Sequence, residues 1–464
     1  MATFREEHDS LGNVKVPADA LYGAQTYRAV ENYPISGRTA HPALIRAYLR
    51  IKSAAATANQ ACQVLDPKNA KLITDAVQEI LSMSPQDWPK TFPVDPYQAG
   101  AGTSQNMNIN EVVANVSNRH AGKPLGTYEP IHPNDHVNRS QSTNDSFPTA
   151  MRLAILETAG PLVKALNQLS STLQKKADAW KMVPKSARTH LQDAVPMTLG
   201  QEFSAYAKTL GKCAKWIEDG RNELKELGIG GSAAGTGLTV PKGYTAAIVK
   251  ELSRLTGEEL RISDNLCEAM QSQSPVTYYS SMLRLTALEL TRICNDLRLM
   301  ASGPMTGLAE ILLPAVQPGS SIMPGKVNPS IIEMANQTWY SVLGYDHTVA
   351  NAGMSGQLEL NVMMPIMAYS MLEATQVTTH ACEVLTRRCI EGLEPNRARL
   401  TKYFESTPQI ATALSPKLGY ERTAKLVKES LEKGMSVVDL VREQKLIQEE
   451  ELKLLLDTRT LTGL

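Results

Sequence analysis

Aromatic residues make up only 5% of this 464-residue chain, and no charge of one sign predominates, since Lys+Arg and Asp+Glu both number 47. The balance excludes a broadly basic face for nucleic acid or an anionic membrane and leaves room only for a local basic pocket. No apolar run approaches the ~18–20 residues needed to span a bilayer, and the opening MATFREEHDSLGNVKVPADA contains no apolar signal core. A soluble, cytoplasmic protein with no membrane partner is therefore expected. The six cysteines, at 62, 213, 267, 294, 382 and 389, form no C-x-x-C pair and mostly lie in apolar stretches. They read as reduced core residues, not as a disulfide framework. There is no H-E-x-x-H and no clustered Cys/His set, so neither a catalytic metal nor an organic cofactor is expected; activation by Mg²⁺ is not something the sequence expresses.

Helical periodicity is abundant. Ile155, Ala159, Leu162, Leu166, Leu169, Leu173 and Ala177 recur at spacings of mostly four and three, which makes one apolar seam. Leu283, Ala287, Leu290, Cys294 and Leu297 make another within a helix predicted over Val276–Ala301, roughly 39 Å long, with Gly303-Pro304 as its stop. A third helix is predicted from about Ile366 to Glu391, before Gly392. Helices of this length bury their stripes side by side, so a long-helix bundle is predicted, with enough apolar surface to be shared between subunits. Three domains are expected. Residues 1–139 should mix short helices with Pro- and Gly-rich loops, 140–394 should hold the long helices, and 395–464 a set of short charged helices such as Tyr420–Lys433.

Four polar loops carry the chemical signal, each read as leading into a helix. They are Gly100–Asn108, Ser140–Asp145 before Pro148, Arg188–Asp193 before Pro196, and Gly319–Asn328 before Pro329. Short polar side chains suit the cap, and proline suits the first helical position. A helix start offers free N–H groups and a partial positive charge, and hydroxyls and amides add donors without adding charge. Such loops gathered together would hold a small dicarboxylate, with Lys326 as the full positive charge. Taken singly, each loop also reads as an ordinary capped helix start. Two look-alikes are set aside. Gly319 to Gly325-Lys326 has five residues between its glycines, and Val327 stands where a phosphate loop needs Ser or Thr. Gly228–Ala233 fits a loose G-x-G-x-x-A, but the charged, helix-like Glu218–Leu227 precedes it, and it reads as a tight helix connection.

The stretch GSSIMPGKVNP at 319–329 resembles the signature loop of the fumarase/aspartase superfamily, and the resemblance extends over essentially the whole chain. FPVDPYQAGAGTS (92–104), NDHVNRSQSTND (134–145), RTHLQDAVPMTLGQEF (188–203) and GQLELNV (356–362) look more like the aspartate ammonia-lyase branch than the fumarate hydratase branch. Three positions depart from the pattern of many relatives: Met305, Thr239 and Met364. The resemblance implies a three-domain all-α fold and a homotetramer whose active sites combine loops of three subunits. It also implies reversible deamination of L-aspartate to fumarate and ammonia by anti-elimination through an aci-carboxylate. In that scheme Ser320 is the base. Thr103, Ser142, Thr143 and Ser321 hold the β-carboxylate, while Lys326, Asn328 and Thr189 bind the other one. Asn144 and His190 face the amino group, and Glu333 could orient His190, its alternative being a solvated helix carboxylate. A class II fumarate hydratase, a lyase for another substituted succinate and a non-catalytic protein on the same fold are the competing readings.

Overall fold

The computed structural model describes residues 3–464. Among the described residues helices dominate, and the strands form four two-stranded sheets, so the fold is all-α. The chain divides into two compact units. One comprises residues 1–163, 215–285 and 340–378, and the other 164–214, 286–339 and 379–464. The five internal boundaries fall inside the five longest of the apolar-striped helices, Thr143–Ala179, Leu199–Leu224, Ser274–Met300, Ser330–Met354 and Met364–Leu385. Among the described residues no helix is long and apolar enough to cross a membrane.

The seams predicted from periodicity are buried. From Ile155 to Ala177 all seven residues are at most 4% exposed, and Leu283, Ala287, Leu290, Cys294 and Leu297 at most 1%. Burying one such leucine stabilises by about 1.5–3 kcal/mol, which is why the stripe, more than propensity, fixes these helices. Thr143–Ala179 tolerates Pro148 and Pro161 in its interior. Each removes one i→i−4 bond, to the carbonyls of Asn144 and Glu157. The third predicted helix ends as a π-type turn over Thr386–Ile390.

The described residues up to 139 differ from expectation in two ways. They open with an antiparallel hairpin, Phe4–Asp9 against Gly12–Pro17, and their helices are long: Pro42–Ala61, Pro67–Ser82 and Thr103–His120. The Thr103–His120 helix is buried with its polar residues included. Glu111, 2% exposed, accepts N–H groups from Gly23, Gln25 and Thr26 at 2.8–3.1 Å. These belong to the first turn of Ala24–Asn32 and the residue before it, so a carboxylate from a distant helix satisfies donors that a helix start leaves open. Burial pushes that carboxyl up to about 7, against the pull of its hydrogen-bond donors.

In the second unit, residues Phe404 to Leu452 gather a separate apolar cluster around Leu414, Leu426 and Leu440, and the predicted helix Tyr420–Lys433 is present with those bounds. All six cysteines are free thiols. Cys213, Cys294, Cys382 and Cys389 are buried, Cys62 is half-buried and Cys267 is exposed.

Candidate active site

The four polar loops divide between the units, two in each. In the first unit, Gly100–Gly102 forms a single 3-10 turn and Thr103 begins the following helix. Gly102 has φ +82°, and a Cβ there would lie 1.9 Å from the Phe147 ring. Only glycine lets this turn press against the Thr143–Ala179 helix. That helix starts at Thr143, five residues before Pro148. Its start is a reciprocal cap. Ser142 Oγ accepts from Asn144 N at 3.2 Å, and Asp145 Oδ1 accepts from Ser142 N at 2.9 Å. This arrangement supplies the start signal that proline was expected to give.

The two loops meet over a buried cation. Lys52, 0% exposed, comes from the Pro42–Ala61 helix and donates to Asn106 Oδ1 at 2.7 Å, Gln141 Oε1 at 2.9 Å and Asn138 Oδ1 at 3.1 Å. Asn106 Nδ2 donates in turn to Thr143 Oγ1 at 3.0 Å. Asn106 lies three positions after Thr103 on the same helix, so this one bond joins the start of that helix to Thr143, 40 positions further along the chain. Asp145, also 0% exposed, uses its second oxygen to accept from Gly230 N at 3.1 Å and Ser232 N at 2.9 Å. Asn144 Nδ2 donates to Ala233 O at 2.8 Å. The Gly228–Ala233 stretch is therefore no plain helix connection; it is stitched to the second loop. Burial pulls the Lys52 ammonium down to about 7 and raises the Asp145 carboxyl to about 7, each opposed by the charge of the other. Ser142, Thr143 and Asn144 are half-buried and Thr103 is exposed, so a ligand can reach them.

In the second unit the third loop is a β-hairpin, not a helix start. Pro184–Thr189 pairs with Gln192–Thr198, Pro196 lies within the second strand, and the helix begins only at Leu199. His190 and Leu191 have φ of 56° and 59°, the left-handed pair that a two-residue turn matching strand twist requires. Thr189 and His190 are exposed at the tip. At the root, Arg188 Nη1 donates to Glu310 Oε1 at 2.6 Å, and Lys185 lies between Glu202 and Glu310, 3.2 Å from Glu310 Oε2.

The fourth loop leads into Ser330–Met354, directly after Pro329 as expected. Its neck is closed by Gly319 N donating to Lys326 O at 2.9 Å and by Asn328 Nδ2 donating to Gly319 O. A Cβ on Gly319 would lie 2.3 Å from Lys326 O. Ser320 Oγ accepts from Ile322 N at 3.2 Å and Met323 N at 3.0 Å. Two backbone donors on one hydroxyl oxygen favour its anionic form. Ser321 and Lys326 are exposed, and Asn328 and Glu333 are half-buried. No hydrogen bond or ion pair among the described residues links Glu333 to His190. Nor do the described residues contain a group of three or more His, Cys, Asp or Glu that could hold a metal ion.

Sequence reasoning overlooked Lys52 and gave no role to Asn106, Asn138 and Gln141, although they lie in the polar stretches it singled out. A signal existed for the first: Lys52 follows Ile51 and precedes Ser53 and three alanines, and a charge buried among such small and apolar residues needs partners.

A family model described as a lyase matches residues 12–344, and one described as the C-terminus of fumarase C matches residues 410–463. An aspartate ammonia-lyase of a Bacillus species is 42% identical over 99% of this chain and 97% of its own. A class II fumarate hydratase of Corynebacterium glutamicum is 45% identical over 97% and 93%. The solved structure of a fumarate lyase:delta crystallin from Brucella melitensis, bound to cobalt, superposes with a TM-score of 0.95 at 44% identity, covering 98% of this chain and 99% of that one.

Proposed function

The chain belongs to the fumarase/aspartase superfamily of lyases, and from that premise we propose that it deaminates L-aspartate reversibly to fumarate and ammonia. The observation that carries the reading is the pair of hydroxyl-rich helix starts, at Thr103 and Thr143, drawn together through Asn106 over a buried lysine. Uncharged donors at helix starts suit a carboxylate that gains charge during reaction better than a fixed ion pair does.

The β-carboxylate sits against Thr103, Ser142, Thr143 and Ser321. Lys326, Asn328 and Thr189 take the other carboxylate, and Asn144 and His190 face the amino group. Ser320, as its alkoxide, removes a proton from the carbon beside the β-carboxylate. The electron pair moves into that carboxylate to give the doubly negative aci form, then returns to form the double bond as the carbon–nitrogen bond breaks and ammonia departs. The barrier falls because the donors bind the aci form more strongly than the substrate carboxylate. The first two loops share one chain, and the hairpin and the fourth loop come from two other subunits of a homotetramer. Tyr278, Leu288, Leu299 and Tyr340, exposed on Ser274–Met300 and Ser330–Met354, give other copies apolar surface to cover.

A second reading is a class II fumarate hydratase, favoured by the 45% identity to the Corynebacterium glutamicum enzyme. A substrate panel followed by ultraviolet absorbance of fumarate separates the two. L-Aspartate should raise it. A response to L-malate alone would replace the first reading with the second.

A further inference from the structure

Lys52 touches none of the residues assigned to substrate, yet its surroundings are fully specified. An ammonium has three hydrogens and no acceptor. Three amide oxygens meet it, those of Asn106, Gln141 and Asn138, so each hydrogen has a partner. An amide presents an acceptor at one end and donors at the other. A donor-only group that takes the oxygen of Asn106 therefore fixes which way the amide faces. Its nitrogen then points to Thr143 Oγ1, and also to Asn138 Oδ1 at 3.2 Å. The other two amides follow the same sense. Asn138 Nδ2 donates to Gln141 O at 3.2 Å, and Gln141 Nε2 donates to Val137 O at 3.0 Å and Arg139 O at 3.2 Å. The direction of the whole network is set at the lysine.

We infer that Lys52 is a positioning residue which, by orienting the Asn106 amide, keeps the Thr143 hydroxyl turned outward as a hydrogen-bond donor to a carboxylate. Thr143 Oγ1 receives the Asn106 hydrogen and so has its own hydrogen to offer. Reversal of the amide would place Oδ1 against Thr143 and draw that hydrogen inward. A lone pair would then face the incoming carboxylate. Lys52 thus supplies the polarity of a donor it does not touch, and no charge of its own reaches the ligand surface. The inference rests on the dicarboxylate site proposed above and names how one wall of it is held.

The test uses the full-length protein and succinate, a dicarboxylate with no leaving group, titrated calorimetrically, with thermal melting alongside. Asn106→Asp is the informative variant. Its carboxylate accepts from Lys52 and keeps the core paired, but it cannot donate to Thr143. Melting within a few degrees of wild type with at least tenfold weaker succinate binding is expected. Thr143→Val should weaken binding similarly, and adding Asn106→Asp to it should change little further, because both act through one hydroxyl. Lys52→Met, if it folds, should match Asn106→Asp; if it does not fold, the other two variants decide alone. Succinate affinity within twofold of wild type in Asn106→Asp overturns the inference. So does a full further loss in the Thr143→Val background, which would mark simple charge repulsion. Wild-type protein that ignores succinate sinks the dicarboxylate reading and this inference with it, whereas normal binding with unaffected variants sinks this inference alone.

Discussion

Arg188 and Glu310 are paired at 2.6 Å, at the foot of the hairpin whose tip carries Thr189 and His190. Glu310 is 0% exposed and Arg188 is stacked 5.3 Å over the Tyr403 ring. The pair therefore ties the hairpin to its unit, beside the packing of its strands against Arg397–Ser406, Pro408–Leu414 and Thr458–Thr462. Such ribbons are marginal alone.

Glu310→Ala should remove that anchor and leave the buried Lys185 and the largely buried Arg188 short of a counter-charge. Breaking a buried pair of this kind costs about 3–5 kcal/mol. Because Lys185 keeps Glu202, the low end is expected. Urea unfolding of both proteins measures it, and a loss under about 1 kcal/mol would show that the hairpin is held elsewhere.

Gly102→Ala should harm both stability and activity. The added carbon meets the Phe147 ring, and φ +82° strains any L side chain. Overpacking costs about 1–3 kcal/mol, and the strained backbone adds to it. The Thr103 helix start must shift, so kcat/KM should fall with the melting temperature. Unchanged kinetics in a destabilised variant would separate this turn from the site.

Ser320→Ala should lower turnover by about 10²–10⁴-fold, the range for loss of a positioned base. The molecular mass in solution should be unchanged, since the half-buried Ser320 bonds only within its own loop. Steady-state rates with L-aspartate test it, and near-normal turnover would move the base assignment to another group.

Glu111 should make stability depend on pH. Its carboxyl titrates near 4.5 when exposed and about 7 when buried in the fold. Between those values the native state holds the extra proton. Stability is thus full below 4.5 and falls as pH rises to about 7, by about 3 kcal/mol at most. Glu111→Gln removes the titration. Its melting temperature, lower throughout, should approach that of wild type between pH 5 and 8; parallel profiles would mean that the carboxyl stays ionised.

The long helices were legible because a seam such as Ile155 to Ala177 repeats at the helical period and is buried along its length. The hairpin at 184–198 was not. Its turn, His190-Leu191, contains neither the glycine nor the asparagine that usually marks two left-handed residues. Pro196 looked like a first helical residue, yet it sits near the end of a strand. The hydroxyls of the first two loops were legible as helix-start residues, whereas the lysine behind them was not. What makes Lys52 tolerable inside the protein is three amide oxygens, from residues 54, 86 and 89 positions away. No local pattern encodes such an encounter. The Gly228–Ala233 stretch does lie between two helices, as read, but its tie to Asp145, 85 residues earlier, escaped for the same reason.

The distribution of thiols gives the molecule a ready-made labelling position. Burial drives Cys213, Cys294 and Cys389 up to about 12 and Cys382 higher still, which withholds the reactive thiolate. Cys267 alone is exposed among the described residues, and its backbone packs against Gly235, just beyond the stretch that Asp145 ties down. A maleimide dye should therefore attach first at Cys267, with the half-buried Cys62 reacting more slowly, while the four interior sulfurs stay silent.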